Sequence, residues 1–272
     1  MSLPAQAKTM RTITIEEHYA TPAFLDGPAR ALKERANGPE IRMRGVPELL
    51  CDLDERRITN MDAAGIDVQV VSLTAPGTEQ FEAAEAITQA HAINDFLAQA
   101  LSRHPDRLAG FATLPTAAPE AAADELERTA QSYGFKGALI NGHSRGRYLD
   151  DPFFWPILER AEALHVPLYI HPTQPPPAVV AASYTGNFAP AITSALANSS
   201  WGWHIETGVH VLRMVLGGAF DRFPALQVIV GHLGEGLPFM MPRFELTLPQ
   251  QLTNLQRPIG AYFRENLHYS FG

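Results

Sequence analysis

Glu16 and His18 stand two residues apart at the end of the first β-branched run, Thr12-Ile13-Thr14-Ile15. In an extended strand such residues share a face, so the carboxylate and the imidazole can converge on one point. One oxygen and one nitrogen donor suit a borderline divalent cation. The plainer alternative is a polar strand end facing solvent, and E-x-H alone is a weak pattern.

His171 directly follows Pro167-Leu168-Tyr169-Ile170 and precedes Pro172. A histidine after a buried apolar run is either a satisfied core residue or a ligand. For one histidine the core reading normally wins, and it weakens when another strand-end histidine is available to share an ion. His232-Leu233-Gly234-Glu235 follows Val228-Ile229-Val230-Gly231. His232 falls where a strand ends and Glu235 where the next helix begins. Glu235 can serve the helix dipole, or hold His232 by a hydrogen bond that fixes its tautomer. Polar, metal-capable side chains recurring at strand ends are how a (β/α) barrel builds an active site.

The other histidines read more plainly. His104, His165 and His204 fall on helix ends or loops, and His91 and His210 within helices. His143 and His268 lie near strands and are possible pocket residues. Met240-Met241 reads as core or subunit contact. No G-x-G-x-x-G or Walker pattern supports nucleotide binding, and Ser72, Ser144 and Ser270 lack a nucleophile-elbow context.

The elements that must position these residues alternate. Seven short apolar runs read as buried parallel strands: 12–15, 67–73, 108–114, 137–141, 166–170, 226–230 and 267–271. Helical patterns lie between them at 79–104, 119–133, 151–164, 206–220 and 235–252, the first with Gln80, Ala84, Ile87 and His91 on one stripe. Strands alternating with such helices predict repeated βα units. Residues 25–50 and 173–203 read as excursions, and the second, at the catalytic end, is a candidate lid or subunit contact. Gly272 follows the seventh run directly, and an open seam would leave bare strand edges. The expected fold is a (β/α)8 TIM-type barrel, one domain over 1–272, cut after its seventh strand.

The 272 residues suit one such barrel. Hydrophobic residues at 46% and charged residues at 18% argue against disorder. A net charge of -8 shows no basic nucleic-acid footprint. Cys51 is the single cysteine, so there is no internal disulfide or thiolate cluster, which suits a reducing cytoplasm. Met1–Thr9 lacks an apolar signal core, and no run is long enough to span a bilayer. Met1-Ser2-Leu3 reads as an expression scar ahead of a start near Met10.

Ile15-Glu16-Glu17-His18, Leu108 to Pro115, Gly137 to Asn141, Tyr169 to Pro172, Glu206 to Arg213 and Gly231 to Pro238 together resemble the amidohydrolase superfamily. Within it they are most similar to the decarboxylases of γ-resorcylate, 2,3-dihydroxybenzoate, 5-carboxyvanillate and aminocarboxymuconate semialdehyde. The resemblance implies Glu16, His18 and His171 as metal ligands, and His232 as catalytic base or acid held by Glu235. It implies that Arg243 reaches the site of a neighbouring subunit, in a homodimer or homotetramer; an ordinary surface ion pair is the alternative. The run Ile140-Asn141-Gly142-His143 lacks the lysine that bridges two metals in related hydrolases, so one divalent ion, Zn or Mn, is expected. The family's remaining ligand, a strand-eight aspartate and candidate proton donor, would fall beyond Gly272.

The implied reaction is non-oxidative decarboxylation of a small ortho-hydroxylated aromatic acid, its carboxylate and phenolate chelating the ion. A mononuclear hydrolase or hydratase acting on a lactone, a C–C bond or a double bond is the alternative on the same site. A catalytically dead binding protein is a third reading.

Overall fold

Short runs of β-branched and apolar residues form strands that, except for the part-exposed first and last, are mostly buried on both faces, as parallel strands under a helical cover are. The computed structural model describes residues 11–37 and 43–271. The expectations for Met1 to Met10, for Gly38 and Pro39 in the first excursion, and for Gly272 lie outside the described residues. The strands are β1 (Ile13–Tyr19), β2 (Val68–Leu73), β3 (Leu108–Gly110), β4 (Ala112–Thr113), β5 (Ala138–Asn141), β6 (Leu168–His171), β7 (Val228–Val230) and β8 (Leu267–Tyr269).

Each strand pairs in parallel with its sequence neighbour, in the orders β1-β2-β3 and β4-β5-β6-β7-β8. The run expected as one strand at 108–114 is split at Phe111, so β3 pairs with β2 and β4 with β5. Seven successive positions of a TIM-type barrel result. The first strand runs past its expected end at Glu16 to Tyr19. A register shift between Thr14 and Glu17 marks a bulge there, a device that re-aims side chains next to sites.

The helices between β1 and β2 are α1 (Pro22–Asp26), α2 (Arg30–Ala36), α3 (Val46–Cys51) and α4 (Glu55–Ala64). Next come α5 (Ala83–Leu101), α6 (Pro119–Tyr133) and α7 (Trp155–Leu164). After β6 follow α8 (Pro177–Ser183), α9 (Pro190–Ala197), α10 (Gly202–Leu216) and α11 (Ala219–Arg222). Last are α12 (Leu237–Thr247), α13 (Gln250–Thr253) and α14 (Ile259–Glu265).

One expectation fails in α5. The helix starts at Ala83, not Glu79, leaving Glu79 in the loop after β2. Its buried stripe is Ala86, Ala90, Ile93, Asn94 and Leu97, while Ala84 and His91 are exposed. The Ala-rich composition made several stripes look equally apolar, and packing against the sheet chose this one. The helix expected at 206–220 begins earlier, at Gly202. The one expected at 235–252 begins later, at Leu237, and breaks before α13.

A large core lies between sheet and helices. A second, inside the barrel, consists of Val70, Phe111, Leu139, Tyr169 and Ile229, with Ile15 against it. Two residues along the strands from Val70, Leu139 and Tyr169 come Ser72, Asn141 and His171. By the two-residue period they share the inward face and form the floor of the barrel mouth. Among the described residues, no helix is long and apolar enough to cross a membrane.

Candidate metal centre and active site

The ends of β1 and β6 meet across the barrel mouth. Glu16, His18 and His171 each offer one donor atom, and these lie within 4.8 Å of one another. His18 Nε2 stands 3.2 Å from His171 Nε2, which is 3.6 Å from Glu16 Oε1. Ser72 donates its hydroxyl proton to the Glu17 carbonyl and lies 3.2 Å from His18 Nδ1. The Ser72 oxygen is therefore left to accept from Nδ1, so the proton of His18 sits there and its Nε2 lone pair faces the cluster. Arg57 Nη2 donates to the His18 carbonyl at 2.9 Å and fixes the end of β1 from behind.

Burial pushes both imidazoles toward the neutral, ligand-competent form. The His171 pKa falls to about 3, through burial first and His18 second. That of His18 also falls, through burial that outweighs attraction to Glu16 and Glu17. Burial raises Glu16, but hydrogen bonds from His232 and Tyr169 outweigh it and bring its carboxyl down to about 2. Two neutral imidazoles and one carboxylate are a fitting donor set for one divalent ion.

Tyr169 Oη donates to Glu16 Oε2 and lies 3.2 Å from Ser270 Oγ. A Cβ at Gly231 would fall 2.5 Å from that hydroxyl and 2.6 Å from Glu16 Oε2. Only glycine lets β7 pass this close. Sequence reasoning did not single out Tyr169, although its place two residues before His171 on one strand face was a usable signal.

Beyond β7 the chain turns through consecutive left-handed residues: His232 (φ 47), Leu233 (φ 61), Gly234 (φ 77), Glu235 (φ 52) and Gly236 (φ 77). Such a conformation in non-glycine residues costs about 1–3 kcal/mol each and clusters at functional sites. Here it aims two side chains. His232 Nε2 lies 2.9 Å from Glu16 Oε1, and Nδ1 lies 2.7 Å from Glu235 Oε1. Hydrogen bonds to Glu16 and then Glu235, against the opposing effect of burial, push the His232 pKa up to about 10. Glu235 precedes α12 rather than opening it, and its carboxylate bonds His232 instead of capping the helix.

His204, expected to be an unremarkable helix-end residue, joins this chain. Trp203 Nε1 donates to His204 Nε2 at 2.9 Å, which places the proton of neutral His204 on Nδ1, 2.6 Å from Glu235 Oε2. The Ser199 carbonyl, 3.2 Å from Nε2, can accept only from the cation. His204, His232 and Glu235 lie close enough to hold an ion. Both facing nitrogens already direct protons at Glu235, however, so the group is a hydrogen-bonded relay.

Arg243 is not brought to this cluster. It is exposed on α12 and, among the described residues, makes no ion pair of the kind expected for a surface helix. His143 is buried at the end of the β5 loop, its Nδ1 accepting from Gly146 N–H. His268 lies apart, against Gln227.

A parallel barrel with carboxylate and imidazole donors at the C-terminal strand ends defines a metal-dependent barrel enzyme. Residues 48–249 match the amidohydrolase family, and the chain belongs to that family. It is 38% identical over 269 residues to the gamma-resorcylate decarboxylase of Polaromonas sp. (strain JS666 / ATCC BAA-500), covering 94% of this chain and 78% of the relative. The 5-carboxyvanillate decarboxylase of Novosphingobium aromaticivorans DSM 12444, complexed with manganese and 4-hydroxy-3-methoxy-5-nitrobenzoic acid, superposes with a TM-score of 0.87 at 34% identity. That match covers 97% of this chain and 79% of the other. A dihydroxybenzoic acid decarboxylase from Polaromonas sp. JS666, with manganese and 2-nitroresorcinol, gives 0.85 at 35% identity, over 96% and 79%.

Proposed function

We propose that this chain is a carboxy-lyase removing CO2, without an oxidant, from a small aromatic acid that bears a hydroxyl ortho to its carboxylate. The observation that carries the reading is the meeting of Glu16, His18 and His171 beside the His232–Glu235 pair at one barrel mouth. These three residues would hold one divalent ion. Manganese in the similar decarboxylases supports Mn, and Zn accepts the same donors. When bound, the ion supplies positive charge that orients and polarises adjacent carboxylate and hydroxyl oxygens.

The chain's own residues do the rest. His232, held as an imidazolium between two carboxylates, donates its Nε2 proton to the ring carbon carrying the carboxylate. The C–C bond then breaks, its electron pair restores the aromatic ring, and CO2 leaves. Glu235 keeps the imidazole aligned, and His204 and Trp203 keep Glu235 aligned. The segment carrying α8 and α9 follows the C-terminal end of β6, and closing over that end it would exclude water.

The larger core of the described residues draws side chains from β1 through β8, which supports a single barrel domain across 1–272. On α12, Phe239 (86% exposed) and Leu246 (75%) are bare beside Arg243. That supports a homodimer or homotetramer in which Arg243 meets the substrate of a neighbouring copy. The free Cys51 supports a reducing cytoplasm.

The test is CO2 release from γ-resorcylate by the manganese-loaded chain. Equimolar CO2 and resorcinol, abolished by chelation, is expected. Bound metal without CO2 from any ortho-hydroxybenzoate would overturn the reading and favour the hydratase or hydrolase alternative.

A further inference from the structure

Glu79 is fully buried in the loop after β2. Glu125 and Glu235, nearly as buried, are paired with Arg128 and with two histidines. Among the described residues Glu79 has no ion-pair partner. Its Oε1 accepts the backbone N–H of Asn141 at 2.7 Å, while its Oε2 and the Asn141 Oδ1 both lack partners. These two side chains press on the same point: a Cβ at Gly77 would sit 2.1 Å from Glu79 Oε2 and 2.4 Å from Asn141 Nδ2. Asn141 ends β5 in register with His171 on β6, on the strand face shared with Leu139, so its carboxamide borders the metal centre.

Two orphaned acceptors on touching, buried side chains are costly. One proton removes the cost. With Glu79 protonated on Oε2 and the carboxamide turned end for end, Oδ1 accepts that proton. The Nδ2 donors then face the barrel mouth. With Glu79 ionised, Nδ2 must serve Oε2, and Oδ1 faces the mouth instead. An anionic ligand needs the first arrangement.

We infer that Glu79 is a neutral carboxylic acid and a positioning residue. It sets the Asn141 carboxamide as a hydrogen-bond donor to an anionic oxygen of the arene carboxylate, and it thereby selects for anions at this site. The inference rests on the proposed decarboxylase for the identity of that ligand. Burial pushes the Glu79 carboxyl up to about 7, against backbone hydrogen bonds from the Asn141, Glu79 and Thr78 N–H groups. The groups around it are Gly77, Thr78, Asn141 and Ser144, whose Oγ donates to the Glu79 carbonyl. The nearby titratable group among the described residues is His143, held by Gln80 through its carbonyl, its pKa lowered by burial.

The test compares manganese-loaded wild type, Glu79→Gln and Glu79→Ala at about pH 6 and about pH 8.5, either side of the Glu79 midpoint. Binding of γ-resorcylate is read by rapid mixing before turnover, with CO2 release and metal content measured on the same samples. Wild type is expected to bind at least about tenfold more weakly at the higher pH. Glu79→Gln, whose amide donates as the acid does, should bind tightly at both values, and Glu79→Ala weakly at both. Unchanged metal content in all three separates positioning from collapse of the site. Wild-type binding that ignores pH, or Glu79→Gln tracking wild type, overturns the inference. The expected binding pattern without CO2 would sink the decarboxylase and leave the inference standing. Absence of binding by wild type would sink both.

Discussion

His232 Nε2 and Glu16 Oε1 lie 2.9 Å apart, so the proposed proton donor and a proposed metal ligand share one hydrogen bond. This contact couples two jobs. Glu16 stabilises the charge on His232, and His232 in turn helps hold the Glu16 carboxyl ionised and ready to bind a cation.

Removing His232 should therefore separate chemistry from metal binding. His232→Gln is expected to lower kcat by about 10²–10⁴, the usual worth of a positioned proton donor, with about one metal ion per chain retained. Steady-state kinetics and metal analysis on one sample check both halves.

The same pair gives the metal-free protein a pH signature. The folded His232 pKa is raised to about 10 from an ordinary 6.5. Its contribution to stability is fully present below about 6.5 and is lost as pH rises through about 10. Urea melts of metal-free wild type and His232→Gln should converge above that pH and diverge below it.

Tyr169→Phe removes the hydroxyl that donates to Glu16. Metal affinity should fall by about 10–100-fold, as for loss of an outer hydrogen bond on a ligand. Titration with a competing chelator measures it.

Glu79 makes a stability prediction that needs no substrate. Its folded pKa of about 7 stands above an ordinary 4.5, so the folded state holds a proton that the unfolded chain gives up earlier. Wild-type stability should fall relative to Glu79→Gln as pH rises from about 4.5 to about 7, by on the order of 3 kcal/mol. Paired denaturation curves across that window test it.

Arg243 is exposed and, among the described residues, without an ion pair, so Arg243→Ala should change stability by less than about 0.5 kcal/mol. If it serves a neighbouring copy, mixing inactive Arg243→Ala with inactive His232→Gln should restore activity, because the mixed pair contains one complete site. No recovery would place Arg243 outside the site.

The strand-end donor cluster was legible because a two-residue period and a buried apolar run fix a side chain's face. Glu16, His18 and His171 converge for that reason. The partners of those residues were less legible. The left-handed turn over 232–236 was not read from the sequence: Gly234 and Gly236 permit it, but nothing local required His232 and Glu235 to adopt it too; contacts with Glu16 and His204 hold that conformation. His204 stayed hidden because its role depends on an indole N–H one residue away and a carboxylate on another element. Glu79 was obscured by an Ala-rich stretch whose helical periodicity ran back over it, whereas the tertiary bond to the Asn141 N–H holds it in the loop.

The most direct test of the account is the metal content of the purified chain after manganese loading and dialysis, by elemental analysis. About one ion per chain in wild type, falling to near zero in Glu16→Gln and His171→Ala, is the predicted result. No retained metal in wild type, or equal retention in all three proteins, would contradict the proposed centre.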